Sequence, residues 1–495
     1  MRLHSLATAV ALTLALAGCV SSGGLHTDGR LTDASSLKAE RSLAKAQLST
    51  AAWPDGDWWT GLGDPQLDAL IGEALQHNPG LAVADARARA AQAEAGIADA
   101  ARGPSVTAGG SVSGARVPTT VLPADSGGGH FMLAKYADVS FKWGVDLWGG
   151  KRAAWQAAVG AARAAEIEAH AARIELSANV ARAYAQLGYA FAQQDLASGE
   201  LKRATESQKL TRQRVAAGID NRIQLKQADG EVATAQENVA TSARAIDAAR
   251  SSLAVLLGRG PDRGLQIGRP RLLQPAELAV PGDLPVGLLS HRADLVAARW
   301  RVEAAGKDIK AAKTEFLPNL SIGALAGVIT LGGGNPLTLP SRFYQLGPSL
   351  SLPIFDGGRL RANLADKDAQ YDLAVAQYNQ TLVGALNEVA DDVSALQSLQ
   401  DQMAAQKRAQ QAAEDAWQLA LQRYQAGIGS YLEALSVRQQ LLVANRGMAA
   451  LAARQVDLSV QLIEALGGGY RPHGQPAPAS EPGTPASSPS HTSRS

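Results

Sequence analysis

Residues 42–45 read Ser-Leu-Ala-Lys, a spacing that in serine acyl-transfer sites lets the lysine activate the hydroxyl. Such a site also needs Ser-Asp-Asn and Lys-Thr-Gly, and neither tripeptide occurs in the chain, so the match is accidental. The eight histidines, His77, His130, His170 and His291 among them, never stand at a metal-ligand spacing. No acid, base and nucleophile come together in the sequence, and the reading is a chain that is not an enzyme and uses no metal or catalytic cofactor. One reactive side chain remains. Cys19 is the only cysteine, so the mature protein has no disulfide.

The setting of Cys19 gives it a different chemistry. Arg2 opens a basic start, residues 6–16 are an apolar run, and a small-residue exit follows, which together are a secretory signal over 1–18, too short for a permanent membrane span. Its end, Leu16-Ala17-Gly18-Cys19, resembles the bacterial lipobox, after which the cysteine is the first mature residue and carries N-palmitoyl and S-diacylglycerol groups. Val20 follows it where inner-membrane lipoproteins have Asp, which fits sorting to the outer membrane. Several chains on one residue are a stable anchor in outer-membrane lipid.

Composition narrows the rest. Net charge is +1, which removes the electrostatic case for nucleic acid. Aromatics are 5% of the chain and alanine dominates long stretches such as 153–172, so close-packed helices are favoured over a thick globular core. Residues 468–495, rich in Pro, Ser and Gly, read as a disordered tail.

Two glycine breaks interrupt the helical pattern: "RVAAGIDNRIQL" from Arg214 and "RYQAGIGSYLEAL" from Arg423. They belong to a larger repeat. The stretch from Leu75 aligns without a gap on the stretch from Leu289, with Pro104 and Pro318 in register, and each half ends on Leu-Gly at Leu257 and Leu466. Residues 67–258 and 285–467 are thus two copies of one unit, joined by a Pro/Gly-rich connector, 259–284.

Each unit predicts the same elements in the same order. Asp64-Pro65 and Asn78-Pro79 are helix starts. Period-two alternation then places strands at about 105–117 and 136–147, with Val139, Phe141, Trp143, Val145 and Leu147 on one face and Asp138, Ser140, Lys142 and Asp146 on the other. The second unit places strands at about 319–329 and 343–355, although Pro348 opposes a central strand. Long helices over 151–215 and 359–424 follow, each roughly 100 Å at about 1.5 Å per residue. Seven-residue series close each unit: Leu225, Val232, Val239, Ile246 and Leu253, with Ala228, Ala235 and Ser242 between them, then Leu435, Leu442, Ala449, Val456 and Ile463. Such spacing implies left-handed supercoiling with close helix approach.

Strands of about ten alternating residues match membrane β-strands. Four per chain cannot close a barrel, and open edges in hydrocarbon are costly, so several chains must share one. A trimer supplies twelve strands; the pattern alone leaves a dimer with eight open.

The lipobox, the duplication, "GPSLSLPIFDGGR" from Gly347, the second glycine break and "EALGGGY" from Glu464 resemble the outer membrane factor family, TolC-like channel-tunnels, and within it the NodT-type lipoproteins. The resemblance implies a homotrimer, mainly α with membrane β: a 12-stranded barrel on a long α-helical periplasmic tunnel. It implies an outer-membrane exit duct for drugs or other small toxic compounds, working with a periplasmic adaptor and an inner-membrane resistance-nodulation-division (RND) transporter. Residues 19–66 and the connector would form an equatorial belt. By the same resemblance Gly218, Ile219, Gly427, Ile428 and Gly429 are adaptor-facing tip turns. Leu432 is the leading gate residue, because an apolar ring near a symmetry axis closes a bore by dewetting, with Glu433, Ser436 and Gln439 beside it. The family often has Asp at the place of Ser436 and Arg at that of Gln439, so a charged constriction of the usual kind is not expected. The alternatives are the exit duct of a type I protein-secretion system and a coiled-coil periplasmic adaptor lipoprotein; the latter leaves the strands without a purpose.

Overall fold

The computed structural model describes residues 24–471, apart from 40, 42, 44–47, 50–52, 122, 272, 274–279, 282–283, 285 and 332–333. The signal segment, Cys19, Ser42, Lys45 and residues 472–495 lie outside the described residues.

The duplication reappears as equal lengths. In the first unit α1 (Pro65–His77) leads into α2 (Pro79–Ala100), β2 (Ser105–Arg116), β3 (Phe131–Val145), α3 (Gly150–Ala216) and α4 (Arg222–Leu256). After α5 (Pro261–Leu265) and α6 (Leu288–His291), the second unit runs α7 (Ala293–Thr314), β5 (Asn319–Leu331), β6 (Arg342–Ser351), α8 (Arg359–Gln425) and α9 (Tyr431–Ala465). The matching helices have 22, 67 and 35 residues in both units. A helix of 67 residues spans roughly 100 Å.

Helix starts follow the expected chemistry. The Asp64 carboxylate accepts from Gln66 N at 3.0 Å and Asn78 Oδ1 from Gly80 N at 2.7 Å, each ahead of a proline at the first turn. Asn78 also donates Nδ2 to Leu256 O at 2.8 Å, so α2 begins where α4 ends. Arg292, the equivalent residue, donates Nη1 to Ala465 O at 3.0 Å and joins α7 to α9 in the same way. The helices therefore stand as four columns: α2 over α4, α3, α7 over α9, and α8. Small residues allow their close approach. Ala228, Ala235 and Ser242 of α4 are buried, and a Cβ on Gly160 of α3 would come within 3.1 Å of Ala304 on α7.

The sheet keeps the column order. Strands β2-β3-β5-β6 pair antiparallel throughout, leaving β2 and β6 as edges. β3 starts at Phe131, five residues before the sequence placed it, because residues 131–135 pair with 112–116 of β2. It ends at Val145, and Asp146 and Leu147 are not part of it: Asp146 accepts from Lys151 N and Arg152 N at 3.1 and 2.8 Å and starts α3. β6 stops at Ser351, two residues before Pro353. Pro348 sits opposite Ile322 on this edge strand, where proline is tolerated.

The amino-terminal segment and the connector wrap one face of the columns. Gly29 N and Thr32 N donate to Asp372 and Asn379 of α8 at 2.7 and 2.8 Å. Trp53 stacks on His291 with ring centroids 4.0 Å apart, and Trp58 and Leu62 enter the main core against α1 and α3. Residues 48–49 (β1) pair with 280–281 (β4) of the connector. Tyr184, Asp64, Gln66 and the backbone of Gly268 and Arg271 form one hydrogen-bonded node that pins the connector to α1 and α3. The chain past α9 is fixed for longer than composition suggested. Gly467, Gly468 and Gly469 all take positive φ and turn Tyr470 onto the α3–α7 cluster, and Arg471 pairs with Asp55 at 2.8 Å.

Candidate functional site

Both glycine breaks are helix-ending turns of one design. Ile219 N donates to Arg214 O at 2.9 Å and Gly218 N to Val215 O at 3.1 Å; Ile428 N donates to Arg423 O at 3.0 Å and Gly427 N to Tyr424 O at 3.1 Å. This paired pattern is the Schellman motif, with Gly218 at φ +74° and Gly427 at φ +78° in the position that favours glycine. Each returning helix is capped at once. Asn221 accepts from Ile223 N and Gln224 N, and the Ser430 hydroxyl accepts from Glu433 N at 3.0 Å. Gly429 has a separate reason: a Cβ there would lie 3.0 Å from the Arg423 Cβ and 3.1 Å from backbone atoms.

The two turns differ in charge. In the first, Arg214 Nε donates to Asp220 Oδ2 at 2.9 Å. The second has Gly429 at the place of Asp220, and Arg423 reaches only to 4.0 Å from Glu433. Tyr424 closes the difference by donating its hydroxyl to Asp220 Oδ2 at 3.0 Å, with Arg214 stacked 4.7 Å over its ring. One carboxylate thus holds both turns.

A second polar link lies one to four turns behind. Tyr431 donates to Glu231 Oε2 at 3.0 Å, joining α9 to α4, and Arg438 donates to Glu200 at 2.9 Å, joining α9 to α3. Arg203 also pairs with Glu200, and Arg203 and Arg438 both face the Trp417 ring at 5.6 and 5.4 Å. Burial pushes the Tyr431 hydroxyl up to about 12: the Ser207 hydrogen bond lowers it and the Glu231 charge raises it. Burial likewise raises Glu231, against the pull of Tyr431 and Arg203. A cleft of about 180 Å³ opens between Trp417, Tyr424, Tyr431 and Glu231.

The residues singled out in the sequence lie around this network, not in it. Ile219, Ile428 and Leu432 are 64%, 73% and 61% exposed, so three large apolar side chains stand bare at the end of the protomer. Leu432, Ser436, Gln439 and Val443 share one exposed stripe of α9, the face left for the bore or for a neighbouring copy. Glu433 is a first-turn carboxylate at a capped helix start. Asp220, Tyr424, Tyr431 and Glu231 were missed, because their partners are about 200 residues away and no local spacing announces the pairing. Among the described residues no group of three or more His, Cys, Asp or Glu is placed to hold a metal ion, and no helix is long and apolar enough to cross a membrane.

Four helical columns continuing into four strands, ending in two capped turns, define the protomer of a barrel-and-tunnel channel of the outer membrane. The chain belongs to the outer membrane efflux protein family, whose model matches residues 70–259 and 284–468. It is 31% identical over 432 residues to the multidrug resistance outer membrane protein MdtP of Escherichia coli K12, covering 86% of this chain and 88% of that one. It is 32% identical over 430 residues to the probable efflux pump outer membrane protein TtgC of Pseudomonas putida, covering 87% and 88%. Among solved structures, the outer membrane protein VceC of Vibrio cholerae superposes with a TM-score of 0.77 at 36% identity, over 84% of this chain and all of that one. The family is one of passive channels, and the protein is an outer-membrane efflux channel.

Proposed function

We propose that three copies close a twelve-stranded barrel and that the trimer is the passive exit duct of a tripartite efflux pump, fed by an inner-membrane RND transporter through a periplasmic adaptor. The observation that carries this is the match between strand order β2-β3-β5-β6 and helix-column order, with both outer strands unpaired. An unpaired edge in hydrocarbon costs several kcal/mol per backbone group, and pairing β6 with β2 of the next copy removes both edges at once. The names of MdtP and TtgC favour efflux over protein secretion as the duty of the duct.

Cys19 is the lipid attachment point in this reading. Leu25, six residues on, packs against Phe316, Leu360 and Leu364, where the columns meet the sheet, which supports an anchor on the same side as the barrel rim. At the other end Gly218, Ile219, Gly427, Ile428 and Gly429 meet the adaptor, and Leu432, beside Glu433, Ser436 and Gln439, narrows the bore. Mass spectrometry of the purified protein checks the lipid. Planar-bilayer recording of the detergent-extracted protein checks the duct: a trimeric mass with conductance that rises on loosening the tip is the expected result. A monomer with no conductance in any tip variant rejects it.

A further inference from the structure

The duplication builds two equivalent helix grooves, and only one of them is filled. Equal helix lengths match Arg359 at the start of α8 to Gly150 of α3, and Ala293 at the start of α7 to Pro79 of α2. In the second unit the amino-terminal segment runs along the α7–α8 groove. Leu25 packs on the cluster of Ile309 and Leu364, Gly29 N donates to Asp372, Thr32 N donates to Asn379, and Ala34 joins the cluster of Val302 and Val375. Asp368, between Leu364 and Asp372, is 5% exposed.

The α2–α3 groove of the first unit has no such cover among the described residues. Val159, the counterpart of Asp368, is 39% exposed. Where the filled groove has Val302, Val375 and Leu382, the open one has Ala88, Glu166 and Arg173, which are smaller or more polar. A cleft of about 720 Å³ results, and through His170 and Arg173 it joins a second of about 550 Å³. Both lie on the side of the belt. Gly188, where an added Cβ would stand 3.6 Å from Pro270 of the connector, is five whole turns along α3 from His170 at about 3.6 residues per turn, so the two point the same way.

The carboxy-terminal chain enters this groove at the end farther from the sheet. Gly469, Tyr470 and Arg471 line the 550 Å³ cleft together with Trp59, and Asp55 holds Arg471 there at 2.8 Å. The sequence continues Pro-His-Gly-Gln-Pro-Ala-Pro-Ala-Ser-Glu over 472–481. Proline at this density favours the extended polyproline II form, and such runs dock on aromatic rings. From Ile174 to Val159 the groove climbs roughly 22 Å of α3, which about seven residues at about 3.1 Å each span. Charge fits as well. Arg163 pairs with Glu166 and Arg173 with Asp85, Arg89 has no ion pair among the described residues, and Glu481 is the one acidic side chain past Arg471.

We propose that residues 472–481 lie in the α2–α3 groove as a second strap, equivalent to the amino-terminal strap on α7–α8, with Glu481 paired to Arg89. Each half of the duplicated unit then carries its own cover, one from either end of the chain. The proposal stands apart from the duct reading, because the groove lies within one protomer.

Maleimide labelling of the detergent-extracted protein tests it. Gln92→Cys puts a thiol on the α2 wall, and the parent, whose only cysteine is Cys19, gives the background. Labelling follows the fraction of time the groove stands open, so the full chain should react about fivefold or more slowly than a chain stopped after Arg471. Adding Glu481→Lys to the full chain should recover part of the lost rate. Ala162→Cys on the α3 wall repeats the comparison if Gln92→Cys does not assemble. Gln92→Cys with Ser480→Cys should form a disulfide within one chain on mild oxidation, read as a crosslinked peptide by mass spectrometry. Fast labelling in both chains means an empty groove, and slow labelling in both means a different cover, such as a neighbouring copy or a co-purified protein. Either result overturns the second strap, as does a disulfide that joins two chains.

Discussion

Tyr424 donates a hydrogen bond to Asp220 at 3.0 Å, and that bond crosses from one tip turn to the other. The two turns come from different repeats, so the link is where the duplicated halves grip each other at the end of the tunnel. Tyr424→Phe removes it and leaves Arg214 paired with Asp220. Asp220→Ala removes both bonds and strands the Arg214 guanidinium. A hydrogen bond to a charged group contributes about 1.5–3 kcal/mol, so the second change loosens the tip more. Single-channel conductance should rise in the order wild type, Tyr424→Phe, Asp220→Ala. Equal conductance in all three would mean the tip is held by the Tyr431–Glu231 and Arg438–Glu200 links alone.

The turn glycines separate cap from contact. Valine at Gly218 or Gly427 forces a branched side chain into left-handed backbone, at about 1–2 kcal/mol each. Neither position has a neighbour within 4 Å of an added Cβ, so the protomer has room for the side chain itself. If the glycines meet an adaptor, these variants should assemble as trimers, insert normally and yet fail to restore drug resistance to a strain lacking the channel. Loss of the trimer instead would show that the glycines serve only as caps. Gly429→Ala is the control, because its Cβ presses on Arg423 inside the protomer.

The unit was legible because its signals are local and occur twice. Asn78-Pro79, Pro104, the alternation and the glycine turn each fix a boundary within a few residues, and the second copy checks the first. The Asp146 case shows the limit: read by alternation it belonged to the polar face of a strand, but a carboxylate five residues before a helix amide is also a cap, and capping won. The belt was invisible for another reason. Gly29 meets Asp372 across 343 residues and Gln66 meets Gly268 across 202, and neither pair carries a spacing that sequence can show. Family resemblance, not pattern, gave the expectation of an equatorial belt; the structure shows the bonds by which the amino-terminal segment meets α8 and the connector meets α1 and α3.

One of those bonds tests the belt. Tyr184 is buried and gives its hydroxyl to Asp64 at 2.6 Å, while Arg271 N and Gln66 N also donate to the same carboxylate. Burial alone would raise Asp64, and these donors hold it below its ordinary value instead. Tyr184→Phe deletes one donor and leaves Gln66 Nε2 without its hydroxyl acceptor, for a loss of about 1–3 kcal/mol. Limited proteolysis should then cut the 259–284 connector faster while the long helices stay protected. Unchanged cleavage would place the belt's hold in the apolar core around Trp58 and Leu62.

Asp392 makes stability depend on pH in an unusual direction for a carboxylate. Its ordinary value is 3.8, and in the fold it is pushed up to about 7, mainly by burial. Between those values the folded chain holds a proton that the unfolded chain has released, so stability falls as pH rises from about 4 to 7 and stays lower above that. Asp392→Asn removes the ionisation and keeps the shape. The variant should therefore melt higher than wild type at pH 8, by the equivalent of about 1–3 kcal/mol for an unpaired buried charge removed. At pH 4 the two should melt together. Thermal unfolding of the detergent-solubilised trimer at both pH values reads this directly, and a variant that melts lower at pH 8 would show that the carboxylate finds a partner in the assembled ring.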